Sequence, residues 1–229
     1  MRSRADALPL ILLPGMNCTA DLWTGCGVDD ALTPVLGEES IDAQVDRLLA
    51  ELPPVFVLGG LSLGAIVAMA LVARAPERVA RLCLASTNAK APTPVQQESW
   101  RTWIRRIDAG ESARSLQTEI LGALLSPVAV RDRPDLVERT LAMADETGPA
   151  TLRAQLRMQC TRVDLRPALG SVATPTLLVS GAQDALCPPE FHVEIAAELP
   201  HARVVTIDGG HLLPLEQPET FGELLRGCR

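Results

Sequence analysis

The chain has 229 residues, 47% hydrophobic and 21% charged, with a formal net charge of −7. That length suits one domain with a sizeable core, and the composition excludes a disordered or fibrous chain. The acidic balance, with no Lys/Arg block to track phosphates, argues against nucleic acid as a partner.

Arg2 and Arg4 precede an apolar run from Leu8 to Leu13. Pro9 interrupts it, Pro14-Gly15 ends it and no small-residue cleavage site follows promptly, so a signal peptide is not expected. The longest apolar stretch, 65–73, is about half of the ~20 residues needed to cross a bilayer. The expectation is a soluble cytoplasmic protein, monomeric or a small homo-oligomer, with no membrane partner.

Leu10 to Leu13 is short, apolar and stopped by Pro-Gly, which suits a buried strand. From Ser40, an N-cap candidate, the residues Ile41, Val45, Leu48, Leu49 and Leu52 fall at helical spacing until Pro53-Pro54. Val55 to Leu58 reads as the next strand, and Gly59-Gly60 leads into Ser62 and a small-residue helix ending near Ala75. Further strands are predicted at Arg81 to Ala85, Pro175 to Ser180 and Ala202 to Ile207. Phe191, Ile195 and Leu199 line one helix face, and Phe221, Leu224 and Leu225 another. Alternation of this kind predicts a single α/β domain over 1–229, a doubly wound, mainly parallel sheet of about six strands. Residues 89–166 break the alternation. Stretches 100–107, 116–125 and 136–158 look helical, which predicts a helical cap able to close over a cleft.

The strongest chemical signal is Gly60-Leu61-Ser62-Leu63-Gly64, a G-x-S-x-G pentapeptide where a strand ends and a helix begins. A serine on so sharp a turn is strained, and glycines two residues to either side remove collisions with the adjoining strand and helix. A serine hydroxyl needs a base with a pKa near working pH, which points to histidine. Of the three histidines, His192 falls inside a helix and His201 at a helix-to-strand junction, where solvated surface is the plainer reading. His211 follows the last strand and Asp208-Gly209-Gly210, where an α/β sheet assembles its site. Asp184, just past the penultimate strand, supplies the carboxylate that would orient the imidazole. Asp208 reads as a turn residue capping its own backbone, and Asp164 as surface. The oxyanion donors are expected to be the backbone N–H groups of Leu63 and Met16, with Asn17 as the second choice to Met16.

These segments resemble the α/β-hydrolase superfamily, close to its small carboxylesterases and carrier-protein methyl esterases. The likeness spans nearly the whole chain and rests on LPGMNCTADLW, GGLSLGAIVAMALVARAPERVARLCLAST, PTLLVSGAQDALCPP and IDGGHLLPLEQPE. The resemblance implies the same fold, triad and oxyanion hole. Two features depart from it. Pro14-Gly15 stands where many members have His-Gly, and the family's leading antiparallel hairpin is expected to be missing.

Ser62 at the elbow argues against the aspartate-nucleophile branches of the superfamily. Ester cleavage of a small or medium acyl substrate, free or carrier-bound, is the first choice. Thioesterase, acyltransferase, lactonase and C–C hydrolase chemistry stay open, as does a non-catalytic ligand-binding member of the fold. Trp100 and Trp103, one helical turn apart, fit an acyl pocket or plain packing. The six cysteines show no C-x-x-C spacing. Cys18 and Cys26 alone are near enough for a local bridge, and inert thiols are the commoner case. No metal and no cofactor are expected, because no ligand cluster or dinucleotide fingerprint appears.

Overall fold

A computed structural model of the chain describes residues 8–228. Arg2 and Arg4, and part of the segment bearing on a leading hairpin, lie outside the described residues.

In chain order the elements are β1 (Leu10–Leu13), α1 (Ile41–Glu51), β2 (Phe56–Leu61), α2 (Leu63–Arg74), β3 (Val79–Ala85) and α3 (Pro94–Asp108). There follow α4 (Ala113–Glu119), α5 (Leu121–Leu124), α6 (Pro127–Asp132), α7 (Pro134–Cys160) and α8 (Arg166–Leu169). The chain closes with β4 (Thr176–Gly181), α9 (Pro189–Glu198), β5 (Ala202–Ile207), α10 (Leu213–Glu216) and α11 (Pro218–Arg226).

All described strand pairs are parallel, and the order β1-β2-β3-β4-β5 follows the sequence. Successive side chains point to opposite faces, so Ile11 and Leu13 join one core while Leu10 and Leu12 join the other. The first core packs against α1, α2 and α9 through Leu48, Ile66 and Ile195. The second lies under α10 and α11, where Phe221 stacks on Trp23 with ring centroids 6.1 Å apart. Helices thus cover both faces, which is why every residue of β1, β2 and β4 is buried.

Among the described residues five strands stand where the pattern predicts about six. Leu32 makes a single parallel bridge to Ile11, donating its N–H to Leu10 O (2.9 Å) and accepting from Leu12 N–H (2.8 Å). The next ladder position is two residues on, at Pro34, which has no N–H to give. The edge of β1 is therefore capped by one bridge rather than by a sixth strand.

Local chemistry accounts for the helix ends. Ser40 Oγ accepts from Ala43 N–H at 3.1 Å to start α1. A capping box between Thr93 and Gln96 starts α3. The stretch read as one helix over 136–158 is bent: Gly148 has φ 71 and precedes Pro149, so α7 breaks there. Helices α3, α4 and α7 share a small core of Ile107, Leu116, Leu152 and Leu156, against which Trp100, Trp103 and Met16 pack. Among the described residues no helix is long and apolar enough to cross a membrane.

Candidate active site

Ser62 stands between β2 and α2 with φ 54 and ψ −114, a conformation that costs a non-glycine residue about 1–3 kcal/mol. The surroundings hold it there. Its N–H donates to Ala85 O (3.0 Å), while its carbonyl accepts from Ile66 N–H (3.1 Å) and Thr87 Oγ1 (3.2 Å). A Cβ on Gly60 would lie 2.6 Å from the Gly64 carbonyl carbon, and one on Gly64 only 2.1 Å from Leu13 O. Neither gap admits a methyl group, so both glycines are demanded by packing.

His211 follows β5 and is pinned by its own N–H to Leu124 O at 3.0 Å. Its Nδ1 lies 3.0 Å from Asp184 Oδ1 and 2.9 Å from Oδ2, with the two side chains 3% and 0% exposed. Burial pushes the Asp184 carboxyl up. Hydrogen bonds from His211 and from the N–H groups of Cys187 and Leu186 outweigh that and hold it below its ordinary value. A carboxylate so placed is ionised, and it fixes the imidazole tautomer with a proton on Nδ1.

Ser62 and His211 line one cavity of about 480 Å³, together with Met16, Trp100, Trp103 and Leu212. That size is ordinary for a small-molecule site. Asp208 and Asp164 are exposed, as is His201. Asp208 Oδ1 accepts from Gln183 Nε2 at 2.8 Å, which corrects the expectation that it caps its own backbone. Asp164 pairs with Arg166.

Gly15 brings the loop after β1 against the elbow, since a Cβ added there would sit 3.6 Å from Ser62 Cβ. Met16 therefore borders the cavity. Asn17 is buried with φ 59, and its N–H is donated to Gln155 Oε1 at 2.8 Å, which removes it as an oxyanion donor. Its Nδ2 binds Gln117 Oε1 at 2.8 Å. Leu63 is the first residue of α2, where a backbone N–H has no intrahelical acceptor and points out of the helix start. Cys18 and Cys26 are free, buried thiols, raised by burial to about 12 and about 11. Among the described residues no group of His, Cys, Asp and Glu could hold a metal ion.

His192 corrects the surface reading. It is 0% exposed, and its Nε2 accepts from Thr87 N–H at 3.2 Å. The buried stripe of α9 runs through His192, Ile195 and Leu199, so it keeps Ile195 and Leu199 of the expected face and its centre is turned by only about 30°, away from Phe191 and toward His192. Burial pulls the imidazole down from 6.5 to about 4. The folded chain keeps it neutral while the unfolded chain takes up a proton. Its contribution is therefore intact above pH 6.5 and is lost as pH falls toward 4, by about 3 kcal/mol. Urea unfolding at neutral pH and near pH 4 should show His192→Gln losing about that much less stability on acidification than the wild type. Equal losses would mean that His192 is not the buried neutral group described.

Sequence reasoning passed over Thr87, Gln155 and the N–H groups of Leu186 and Cys187, all of which brace the site. Their partners are distant in sequence or are backbone groups, and no residue pattern marks them.

The profile of the α/β-hydrolase fold family matches residues 19–218. A pimeloyl-[acyl-carrier protein] methyl ester esterase of Aromatoleum aromaticum is 35% identical over 232 residues, spanning 96% of this chain and 90% of that protein. A protein of the same name from Xanthomonas campestris pv. campestris is 29% identical over 174 residues, 72% of this chain and 67% of its own. Among solved structures, a malate-bound thermophilic esterase from Thermogutta terrifontis is similar with a TM-score of 0.88 at 27% identity, covering 96% of this chain and 89% of that one. The chain belongs to the α/β-hydrolase fold family.

Proposed function

We propose that the chain is a carboxylic ester hydrolase working through an acyl-enzyme on Ser62, with His211 as general base and Asp184 orienting it. The observation that carries this reading is the buried Asp184–His211 contact at 2.9 Å, set behind the cavity that Ser62 and His211 both line. Ser62 Oγ attacks the ester carbonyl as its proton passes to His211 Nε2. The oxygen of the tetrahedral intermediate takes up the charge and is held by the Met16 and Leu63 N–H groups. Collapse breaks the bond to the alcohol, which leaves with the proton from His211. Water then attacks the acyl-enzyme with His211 again as base, releasing the acid and restoring Ser62.

The names of the relatives support a methyl ester on a carrier-borne acyl chain as the substrate. Such a substrate fits a cytoplasmic enzyme. Residues 89–166 act in this reading as the cap of a single domain, and their Trp100 and Trp103 give the acyl chain an apolar wall. The test is hydrolysis of p-nitrophenyl esters from acetate to decanoate by the folded wild type. Release with a chain-length optimum is expected. Folded protein that releases nothing, yet cleaves acyl thioesters, would overturn the ester assignment.

A further inference from the structure

Two charged residues are found among those lining the Ser62 cavity, Glu119 and Arg162. Glu119 is already bound by Arg106, whose Nη1 lies 2.9 Å from Oε2. Arg162 is different. Its side chain is buried, the residue being 8% exposed, and no carboxylate pairs with it among the described residues.

Every acceptor that Arg162 has is a neutral oxygen. Nη2 donates to Asn88 Oδ1 and Lys90 O, both at 2.9 Å, and Nη1 to Gln159 Oε1 at 3.2 Å. Nε is buried with no acceptor. The guanidinium sits 6.0 Å from the centre of the Trp100 ring, which also borders the cavity. Burial lowers its pKa to about 10, so it stays charged at neutral pH. Burying a cation without an opposite charge is costly, and a fold that retains one beside a cleft gains by using it on an anion.

We propose that Arg162 anchors a carboxylate on the substrate, so that the site selects monoesters of dicarboxylic acids. The inference rests on the ester-hydrolase reading of Ser62 and takes a free half-ester, whose far end is a carboxylate, in place of the carrier-borne chain. Geometry joins the two ends of such a molecule. Asn88, which Arg162 holds, adjoins Thr87, whose Oγ1 bonds the Ser62 carbonyl at 3.2 Å. The anchored end and the reacting end therefore share one wall of the same cavity. Ile66, Ile120 and Leu124 give the same cavity an apolar lining for a methylene chain. A planar guanidinium with donors to spare meets a carboxylate better than an ammonium would.

The test measures binding apart from turnover. Monomethyl esters of succinate, glutarate, adipate and suberate, with the matching dimethyl esters, are titrated onto Ser62→Ala protein by calorimetry. The half-esters should bind about tenfold to a hundredfold tighter than the diesters, the worth of one charge-assisted contact. Arg162→Gln in the same background should erase that preference while leaving diester binding within about twofold. A purely structural role would weaken both classes alike and overturn the proposal. Should Arg162→Gln fail to fold, the comparison of half-ester with diester in the Ser62→Ala protein decides alone, and equal binding sinks the anchor. Ester turnover is followed separately in the wild type. Cleavage of neutral esters without an anionic preference defeats the anchor and leaves the hydrolase reading standing. Preferential binding with no ester cleaved does the reverse.

Discussion

Ser62→Ala is expected to lower kcat/KM on any cleavable ester by roughly 10⁴-fold or more, because it removes the one hydroxyl held on the strained turn at the start of α2 that would form the acyl-enzyme. Folding should survive. Ser62 Oγ makes no hydrogen bond among the described residues, and the contacts that hold the turn run through backbone N–H and C=O groups that alanine keeps. The φ of 54 sharpens the prediction. Ser62→Gly would be equally inactive, yet it relieves a strain of about 1–3 kcal/mol against a loss of about 0.5–1 kcal/mol in chain entropy. The glycine variant should therefore unfold at higher denaturant than the alanine variant. If both unfold at the same midpoint, the elbow is not strained as described. If Ser62→Ala retains appreciable turnover, the nucleophile lies elsewhere.

The strain makes the elbow legible in the sequence as well as costly in the fold. Gly60 and Gly64 are required because Cβ atoms there would enter the Leu13 and Gly64 carbonyl groups, and a paired glycine spacing around a serine is visible in one dimension. The strands were legible for a related reason. Burial on both faces needs an uninterrupted apolar run, and Leu10 to Leu13 is legible with the bounds the structure gives; Ala202 to Ile207 has the bounds expected too, although as an edge strand it is only half-buried and carries Arg203 and Thr206. What stayed hidden depends on phase and on distant partners. A shift of about 30° in the packing of α9 decides whether His192 meets solvent or Thr87, and the apolar spacing of a short helix does not settle it. The amide chain from Asn17 to Gln155 and Gln117 joins residues 138 and 100 positions apart, and no local pattern pairs them. No sequence pattern marks Arg162 as buried beside the cavity. At Gly148-Pro149 the break is written in the sequence itself, and the helical periodicity on either side of it masks it.

Asp184→Asn should cost about 10⁴-fold in turnover, although it is nearly isosteric and keeps the loop in place. Asp184 Oδ1 accepts from Leu186 N–H at 2.9 Å and Cys187 N–H at 2.8 Å, and an amide oxygen can keep accepting both. That leaves the amide NH₂ facing His211 Nδ1, which must then accept rather than donate. The proton moves to Nε2, the atom that has to take the proton of Ser62, and the base is lost. Structure and activity should therefore separate, with the fold nearly unchanged and the reaction nearly gone. Acid unfolding gives an independent check on the carboxylate. Its folded pKa is depressed below 3.8, so the stability it contributes is fully present above that value and is lost as pH falls below it. The asparagine variant has no such titration, and its stability should change less steeply than that of the wild type at the acid end. Asp208→Asn is the control, since Asp208 is exposed and bonds only Gln183 among the described residues. It should retain turnover within about twofold of the wild type. A damaging Asp208→Asn beside a tolerated Asp184→Asn would move the acid to the loop of His211 itself and overturn the assignment.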